Sequence, residues 1–364
     1  MNGKRRSPIE GLLRGFRKKP NRFIQVQKSL RRKGDGRLPL SFYGTSDILT
    51  KEQWKRTIEK YNPREMLQNL DKIEEKVLLT GAGISVPETY LLLETVDDME
   101  KLKEWLKDWN DGFAIKPASG HGGAGIKVIN SRTAGRFITI SGKGIGSDEI
   151  MVHAERILKG SYTRGEPDRV IVERRLILDR SLRELMTPGL LDIRVVSLHG
   201  FPLMAMTRLP TKRSKGKANI HQGAIGAGIS LCEGRITSAT LLRRNVKRHP
   251  TSGRQILGFK FNMWEEILEV ASLASDVSGL GFVGVDLTVD IKTKVTILEV
   301  NKRPGLEIQN ANRAGLKRRI RWVESMIKKS GDDIKALGPG IKIELSRKWD
   351  MNDWRKPLEE MEEE

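Results

Sequence analysis

Gly284-Val285-Asp286-Leu287-Thr288-Val289-Asp290, followed by Val295-Thr296-Ile297-Leu298-Glu299-Val300-Asn301, is the stretch whose reading decides the fold. Both segments are rich in β-branched residues and read as strands, with Lys292-Thr293 as a two-residue turn between them. A loop of that length sets Asp286 opposite Glu299, with Asn301 two places along the same face. Facing carboxylates repel, and the apolar neighbours Val285, Leu287, Leu298 and Val300 imply a partly buried sheet that screens them poorly. A divalent cation relieves the repulsion. Asp, Glu and Asn oxygens suit magnesium, which sits on one or two carboxylates and the phosphates of a nucleotide. The same spacing also suits an exposed hairpin with solvated acids.

A second segment has matching chemistry. Phe113-Ala114-Ile115-Lys116-Pro117 reads as a strand, and Ala118-Ser119-Gly120-His121-Gly122-Gly123-Ala124-Gly125 follows at once. The glycines let backbone amides approach an anion, because no side chain intervenes and positive φ costs little. The loop is not a P-loop, since no Gly-Lys-Ser/Thr closes it. Nor is it a dinucleotide fingerprint, because Ile126-Lys127-Val128-Ile129 reads as a strand where that motif needs a helix. Strand, glycine flap and strand make a hairpin lid. A lysine on a buried strand calls for an anionic partner, which makes Lys116 a phosphate candidate.

Outward from these segments the chain alternates helix and strand. Helices are expected over Lys51 to Tyr61, Pro63 to Leu79 and Met263 to Val277, the last stopped by Gly279. Further strands are expected over Val170 to Glu173, Ile193 to Leu198 and Leu203 to Met206. The class is mixed α and β. At 364 residues with 38% hydrophobic content the chain can bury a full core in more than one lobe. The expected division is a basic arm at 1–40, a helical lobe at 41–110, a central lobe with the flap at 111–175, a catalytic lobe at 176–330 and a tail at 331–364.

The net charge of +20 is unevenly placed: residues 1 to 36 hold twelve Lys or Arg against Glu10 and Asp35. Such an arm attracts polyanions, whether nucleic acid, an anionic membrane face or an acidic protein, and the interspersed Leu12, Leu13, Phe16 and Phe23 admit an amphipathic surface helix. Residues 210 to 223 read as a further basic loop. The single cysteine, Cys232, excludes an internal disulfide framework and a cysteine metal cluster. No apolar run approaches the ~18 residues of a membrane span, and the basic start lacks the apolar core of a secretory signal. Those features point to the cytoplasm.

Lysine, glycine flap and a terminal acid-x-Asn strand, in that order, resemble the ATP-grasp superfamily of carboxylate-amine ligases. Glu299-Val300-Asn301-Lys302-Arg303-Pro304-Gly305-Leu306 is similar to the signature of its glutamate-ligase branch. The segments Arg208-Leu209-Pro210, Gly216 to Ala224 and Arg303 to Asn312 are similar to the α-L-glutamate ligase-like group, and the likeness runs from about Asn62 to Arg319. The resemblance implies an α/β (α+β) ATP-grasp fold holding the nucleotide between two lobes. It also implies ATP with magnesium, manganese being the alternative ion, ligated by Asp286, Glu299 and Asn301. By the same resemblance Lys72 of Asp71-Lys72 and Lys116 reach the phosphates under the flap of Gly120, Gly122 and Gly123. Glu173 and Arg174 hold the adenine edge, Asp192 the ribose, and Lys217, Ala218 and Asn219 a further nucleotide position. Arg194, Arg208 and Arg303 hold the reacting carboxylate. The implied reaction activates that carboxylate as an acylphosphate and joins it to an amine, glutamate or another amino acid, on an acidic peptide or small acceptor. Two other readings stay open: an ATP-grasp enzyme of cell-surface polysaccharide synthesis, and a basic nucleic-acid-binding protein.

Overall fold

The computed structural model describes residues 47–352 apart from 70, 121, 184 and 186–188. The basic arm, His121 and the acidic end of the tail therefore lie outside the described residues. Two antiparallel sheets organise the chain. The first has the strand order β1-β6-β2-β3-β4-β5, built from β1 (Thr89–Leu93), β2 (Phe113–Pro117), β3 (Lys127–Thr133), β4 (Arg136–Thr139), β5 (Gly144–Ile145) and β6 (Val170–Arg174). The second has the order β11-β10-β9-β8-β7-β12-β13, from β7 (Asp192–Leu198), β8 (Phe201–Leu209), β9 (Ile225–Ile229), β10 (Ile236–Leu241), β11 (Arg244–Asn245), β12 (Phe282–Asp290) and β13 (Lys294–Asn301).

β12 is buried at all nine positions, yet it alternates: Val283, Val285, Leu287 and Val289 share one face, and Asp286, Thr288 and Asp290 share the other. One face packs with the Trp264–Val277 helix in a core containing Val195, Val285, Ile297, Ile267 and Ala271. Leu49, Ile58, Phe201, Trp322 and Trp349 belong to a second core that takes in Val196, Met204 and Phe282 of the same sheet. The first sheet has its own core, in which Phe113, Ile129 and Val172 meet Leu102, Ile150 and Ile157.

These contacts redraw the expected lobes. β1 pairs with β6 in antiparallel fashion, so residues from 89 onward belong to the first sheet and not to a separate helical lobe. The Lys51–Tyr61 helix has the expected bounds but packs on the second sheet. The segment after Pro63 is two helices, Arg64–Asn69 and Lys72–Gly81. Asp71 interrupts it as an N-cap, its carboxylate accepting from the Ile73 and Glu74 amides while Glu74 returns a bond to the Asp71 amide. That reciprocal capping box competes with helix continuation and resets the register of everything after it. The tail is structured to Asn352: the Pro339–Asn352 helix buries Ile343, Leu345 and Trp349.

The β12–β13 register brings Asp286 opposite Glu299, though not through the turn read from the sequence. Asp290 pairs with Lys294, so the loop is Ile291-Lys292-Thr293, one residue longer than expected. The ladder slips once between Asp286 and Leu287, and the bulge at Leu298 restores the pairing.

Candidate functional site

On the second sheet, Arg194 of β7 lies beside Asp286 of β12, and Asp192 lies beside Arg208 of β8. Residues two apart share a face, so the four charged side chains converge. Arg194 donates Nε to Asp286 Oδ1 at 2.6 Å and Nη2 to Oδ2 at 2.5 Å. Arg208 donates Nε to Asp192 Oδ1 at 2.7 Å and also Nη2 to Asp286 Oδ2 at 2.8 Å. Burial works against the Asp286 charge, but Arg194 and Arg208 outweigh it and hold the carboxyl below its ordinary range.

This corrects the electrostatic argument drawn from the sequence. Asp286 faces Glu299 but is already neutralised by two guanidinium groups, so it does not by itself demand a cation. Glu299 does: it is half-buried opposite Asp286 and has no hydrogen-bond or ion-pair partner among the described residues. Asn301 pairs with Gly284 across the strands, and its Oδ1 accepts only the Arg303 amide, at 3.0 Å. Pro304 packs where a Cβ on Gly284 would come within 2.7 Å, so glycine there lets the turn after β13 fold back over β12. Arg303 itself is exposed.

On the first sheet, Lys116 of β2 and Glu173 of β6 lie on adjacent strands, and Lys116 Nζ donates to Glu173 Oε1 at 2.6 Å. The anionic partner that a buried lysine requires is therefore supplied by the protein. Lys76, not singled out from the sequence, donates to the other oxygen of Glu173 at 2.6 Å, to Pro87 O at 2.8 Å and to Thr89 Oγ1 at 2.9 Å. Burial raises the Glu173 pKa, but Lys116 and Lys76 more than offset it, leaving the carboxyl below its ordinary value. Burial, only partly opposed by Glu173, holds the Lys76 pKa down. Arg174 links the two sheets: Nη2 donates to Asp290 Oδ2 and to Thr293 Oγ1, both at 2.9 Å.

The Lys72–Gly81 helix joins the sheets. Lys72 and Lys76 are four apart and share a face, a spacing visible in the sequence. Lys72 donates to the Gly120 carbonyl at the base of the flap. Glu75, next to Lys76, accepts the Val300 amide at 2.7 Å, between Glu299 and Asn301 on the edge strand. Burial pushes Glu75 up to about 8, the Glu299 charge adding to the rise and Lys116 and Lys72 opposing it. All three charges are therefore close enough to act on one carboxyl. Asp168, also missed, fixes the start of the flap by accepting the Ser119 amide at 3.0 Å and 3.1 Å on its two oxygens.

Within the flap Gly122 and Gly123 adopt φ of +63° and +75°, which a side chain would strain. At its far end His153 Nε2 lies 2.9 Å from the Gly125 carbonyl, and Tyr162 Oη lies 3.3 Å from His153 Nδ1. Lys217, Ala218 and Asn219 sit on the β8–β9 loop, and Asn219 Nδ2 donates to Gly122 O at 3.3 Å, closing the flap against the second sheet. Of the residues read from the sequence, the structure thus gathers Lys72, Lys116, Glu173, the flap glycines, Asn219, Asp286, Glu299 and Asn301 between the sheets. Asp192 is 5% exposed and committed to Arg208. Among the described residues no group of three or more His, Cys, Asp or Glu forms a metal cluster. Two carboxylates and an amide oxygen remain a donor set that magnesium accepts when phosphate completes it.

A family model described as "Sugar-transfer associated ATP-grasp" matches residues 52–325. No curated protein matches the chain. Among solved structures, the ATP-grasp ligase PsnB in complex with precursor peptide PsnA2 and AMPPNP is similar at 14% identity and a TM-score of 0.36, covering 76% of this chain and 65% of its own. The VanG D-Ala:D-Ser ligase from Enterococcus faecalis is similar at 14% identity and a TM-score of 0.40, covering 70% of this chain and 61% of its own. The D-cycloserine synthetase DcsG has the same identity and TM-score, covering 72% and 70%. The chain thus spans less than two thirds of the length of PsnB and of VanG. No helix among the described residues is long and apolar enough to cross a membrane.

Proposed function

Because the chain belongs to the sugar-transfer associated ATP-grasp family and has the ATP-grasp fold, we propose that it is an ATP- and magnesium-dependent carboxylate-amine ligase. It joins an amino acid, glutamate by the likeness of Glu299 to Leu306, to a carboxylate of an acidic acceptor. The observation that carries the reading is Glu299: an unpartnered, half-buried acid opposite Asp286, beside an Asn301 oxygen and within the field of Lys72 and Lys116 through Glu75. When bound, magnesium-ATP supplies a transferable γ-phosphoryl group with its charge partly neutralised.

In this scheme Glu299, Asn301 and the free lone pair of Asp286 Oδ1 hold the metal. Lys72 and Lys116 meet the phosphates, and the flap amides from Gly120 to Gly123 cover them. Arg208, fixed in place by Asp192 and Asp286, orients the acceptor carboxylate, whose oxygen displaces ADP from the γ-phosphorus. Arg194 is a positioning residue that holds Asp286. The amine nitrogen then attacks the acyl carbon, phosphate leaves with the bonding electrons, and the nitrogen loses a proton. Asp192 is reassigned from the ribose to the support of Arg208, and Glu173 and Arg174 from adenine to the lysine pair and the joint between sheets. Arg303, exposed after β13, and Lys217 and Ala218 on the β8–β9 loop remain on the rim, where an acceptor or nucleotide passes.

A second reading is favoured by the family description, which mentions sugar transfer: in it the acceptor is a carboxylate of cell-surface polysaccharide synthesis. Phosphate release with ATP, magnesium and each amino acid, alone and with acidic peptides or uronate oligosaccharides, separates the two. Glu299→Gln is the control, since it removes an acid with no protein partner. If no amino acid stimulates release above the Glu299→Gln level in a folded protein, the ligase reading fails.

A further inference from the structure

We infer that an acidic polypeptide docks on an exposed cationic rim made by the β8–β9 loop and the β10–β11 hairpin, an inference that rests on the ligase reading for its acceptor. Residues 208–260 hold twelve Lys or Arg against the single acid Glu233. Lys212, Lys215, Lys217, Arg243, Arg244 and Lys247 are all exposed, and none has a hydrogen-bond or ion-pair partner for its side chain among the described residues. A solvated helix face in the same chain looks different: Lys101, Lys103 and Lys107 each pair with an acid three residues earlier. The rim's charge is left uncompensated, which costs stability through self-repulsion and calls for a ligand that supplies the anions.

Topology places this charge at the site. Ile225 pairs with Leu209 and Gly226 with Arg208, so the β8–β9 loop springs from the end of the sheet that carries Arg208 and Asp192. Thr240 pairs with Gly226, which brings the β10–β11 hairpin to that same end. The two segments are held together: His249 Nε2 lies 2.8 Å from Pro210 O, and the Lys212 amide donates to Thr251 Oγ1 at 3.2 Å. Asn219 continues the loop onto the flap through Gly122. A chain lying along the rim therefore leads one of its carboxylates toward Arg208.

Three features select the occupant. No Phe, Tyr or Trp is exposed in residues 208–260, and His221 is the one exposed ring, so the successive stacking platforms that single-stranded nucleic acid needs are missing. Leu242 is the one large hydrophobic of this rim that is prominently exposed, too little for a membrane-inserting face. β11 is the outer edge of its sheet, and an extended peptide can continue that ladder with its own amides while its acidic side chains meet Arg243, Arg244 and Lys247. A polysaccharide has no amide ladder to offer.

The test uses the full chain with fluorescent poly-L-glutamate of about 20 residues at about 50 mM salt, compared with Arg243→Glu/Arg244→Glu/Lys247→Glu and with the corresponding Gln triple. The expected result is at least a tenfold weaker binding for the Glu triple, and for the Gln triple a salt slope smaller by about 2, from three lost contacts at ~0.7 each. Poly-L-glutamate should also slow hydrogen exchange in 210–223 and 241–255. Unchanged affinity in the Glu triple, or protection confined to other segments, overturns the inference. So does tighter binding of oligo-dT, alginate or anionic vesicles than of poly-L-glutamate, with the same dependence on the triple. Magnesium-ADP binding should be equal in all three proteins. Docking without amino-acid-stimulated phosphate release would sink the ligase reading and leave the rim standing, whereas release without docking would do the reverse.

Discussion

Glu173→Gln isolates the electrostatics of the first sheet. In the native chain one carboxylate serves two ammonium groups, each 2.6 Å away, with side chains of Lys76, Lys116 and Glu173 only 14%, 9% and 7% exposed. The amide keeps the volume but removes the charge, leaving two lysines facing each other in a poorly hydrated place. Breaking a buried pair in this way costs about 3–5 kcal/mol. A ceiling exists, because one lysine can shed its proton instead. At pH 7 that escape costs about 4.6 kcal/mol from an ordinary lysine pKa of ~10.4, and at pH 9 about 1.9 kcal/mol. Lys76 is the one to deprotonate, since burial already holds its pKa down.

The sign follows from proton counting. A lysine whose folded pKa lies below its unfolded value binds fewer protons folded than unfolded, so the variant gains stability as pH rises through the interval between the two values. The penalty measured by paired urea denaturation should therefore be about 3 to 4.5 kcal/mol at pH 7 and shrink to about 2 kcal/mol or less at pH 9, with the native protein as reference at each pH. A loss below about 1 kcal/mol that stays flat from pH 7 to 9 would refute the reasoning, for it would mean that water already solvates both lysines.

Three further outcomes are expected. Glu75→Gln keeps an acceptor for the Val300 amide but removes the buried charge; because the folded pKa is raised to about 8, the native protein loses stability as pH climbs from the ordinary carboxylate range toward 8, and the variant should overtake it across that window in EDTA-treated urea melts. His199, half-buried with its pKa pushed down to about 4 by burial and by Lys335 and Lys342, contributes stability that is present above ~6.5 and lost as pH falls toward 4; His199→Gln should flatten that limb of a thermal-denaturation pH profile. Trp349→Ala should cost about 3–5 kcal/mol by denaturant titration, since the ring is 3% exposed, tilted against Trp322 with centroids 5.7 Å apart and covered by Arg319; a loss below 1 kcal/mol would mean that the Pro339–Asn352 helix is not part of the core.

What was legible in the sequence was local. β-Branched runs, the glycine flap and the apolar stripe from Ile267 to Val277 each express a period or a backbone need that neighbouring residues fix. The helix break at Asp71 was equally local, written as Asp-x-x-Glu, and was hidden only because the apolar spacing continues across it. The strand pairs were a different matter. The loop is one residue longer than its turn chemistry suggests, and the bulge at Leu298 adds one residue to the same strand, so the two offsets cancel at Asp286 and Glu299. Periodicity fixes which residues share a face, and a bulge changes that without leaving a compositional mark. The partners of Asp286, Arg174 and Glu173 were illegible because they depend on which strands and loops lie side by side, across separations of 92, 116 and 97 residues.

That strand order also changes which acid argues for a cation. With β12 considered only against β13, Asp286 and Glu299 are equivalent, and either could be the one that needs a counter-charge. Insertion of β7 on the other side of β12, with β8 beyond it, brings Arg194 and Arg208 into hydrogen bonds with Asp286, whereas Glu299 feels Arg208 only at longer range. Asp286 is held below its ordinary range by those two arginines, burial notwithstanding. The unpaired charge is then concentrated at Glu299, on the edge strand whose Val300 amide is held by Glu75. A hard cation that enters there meets one carboxylate with no competing donor and a second whose negative charge is preserved by its arginines. Asp286 Oδ2 accepts from both Arg194 and Arg208, so in the proposed scheme the carboxylate that offers Oδ1 to a metal is also the one that fixes Arg208.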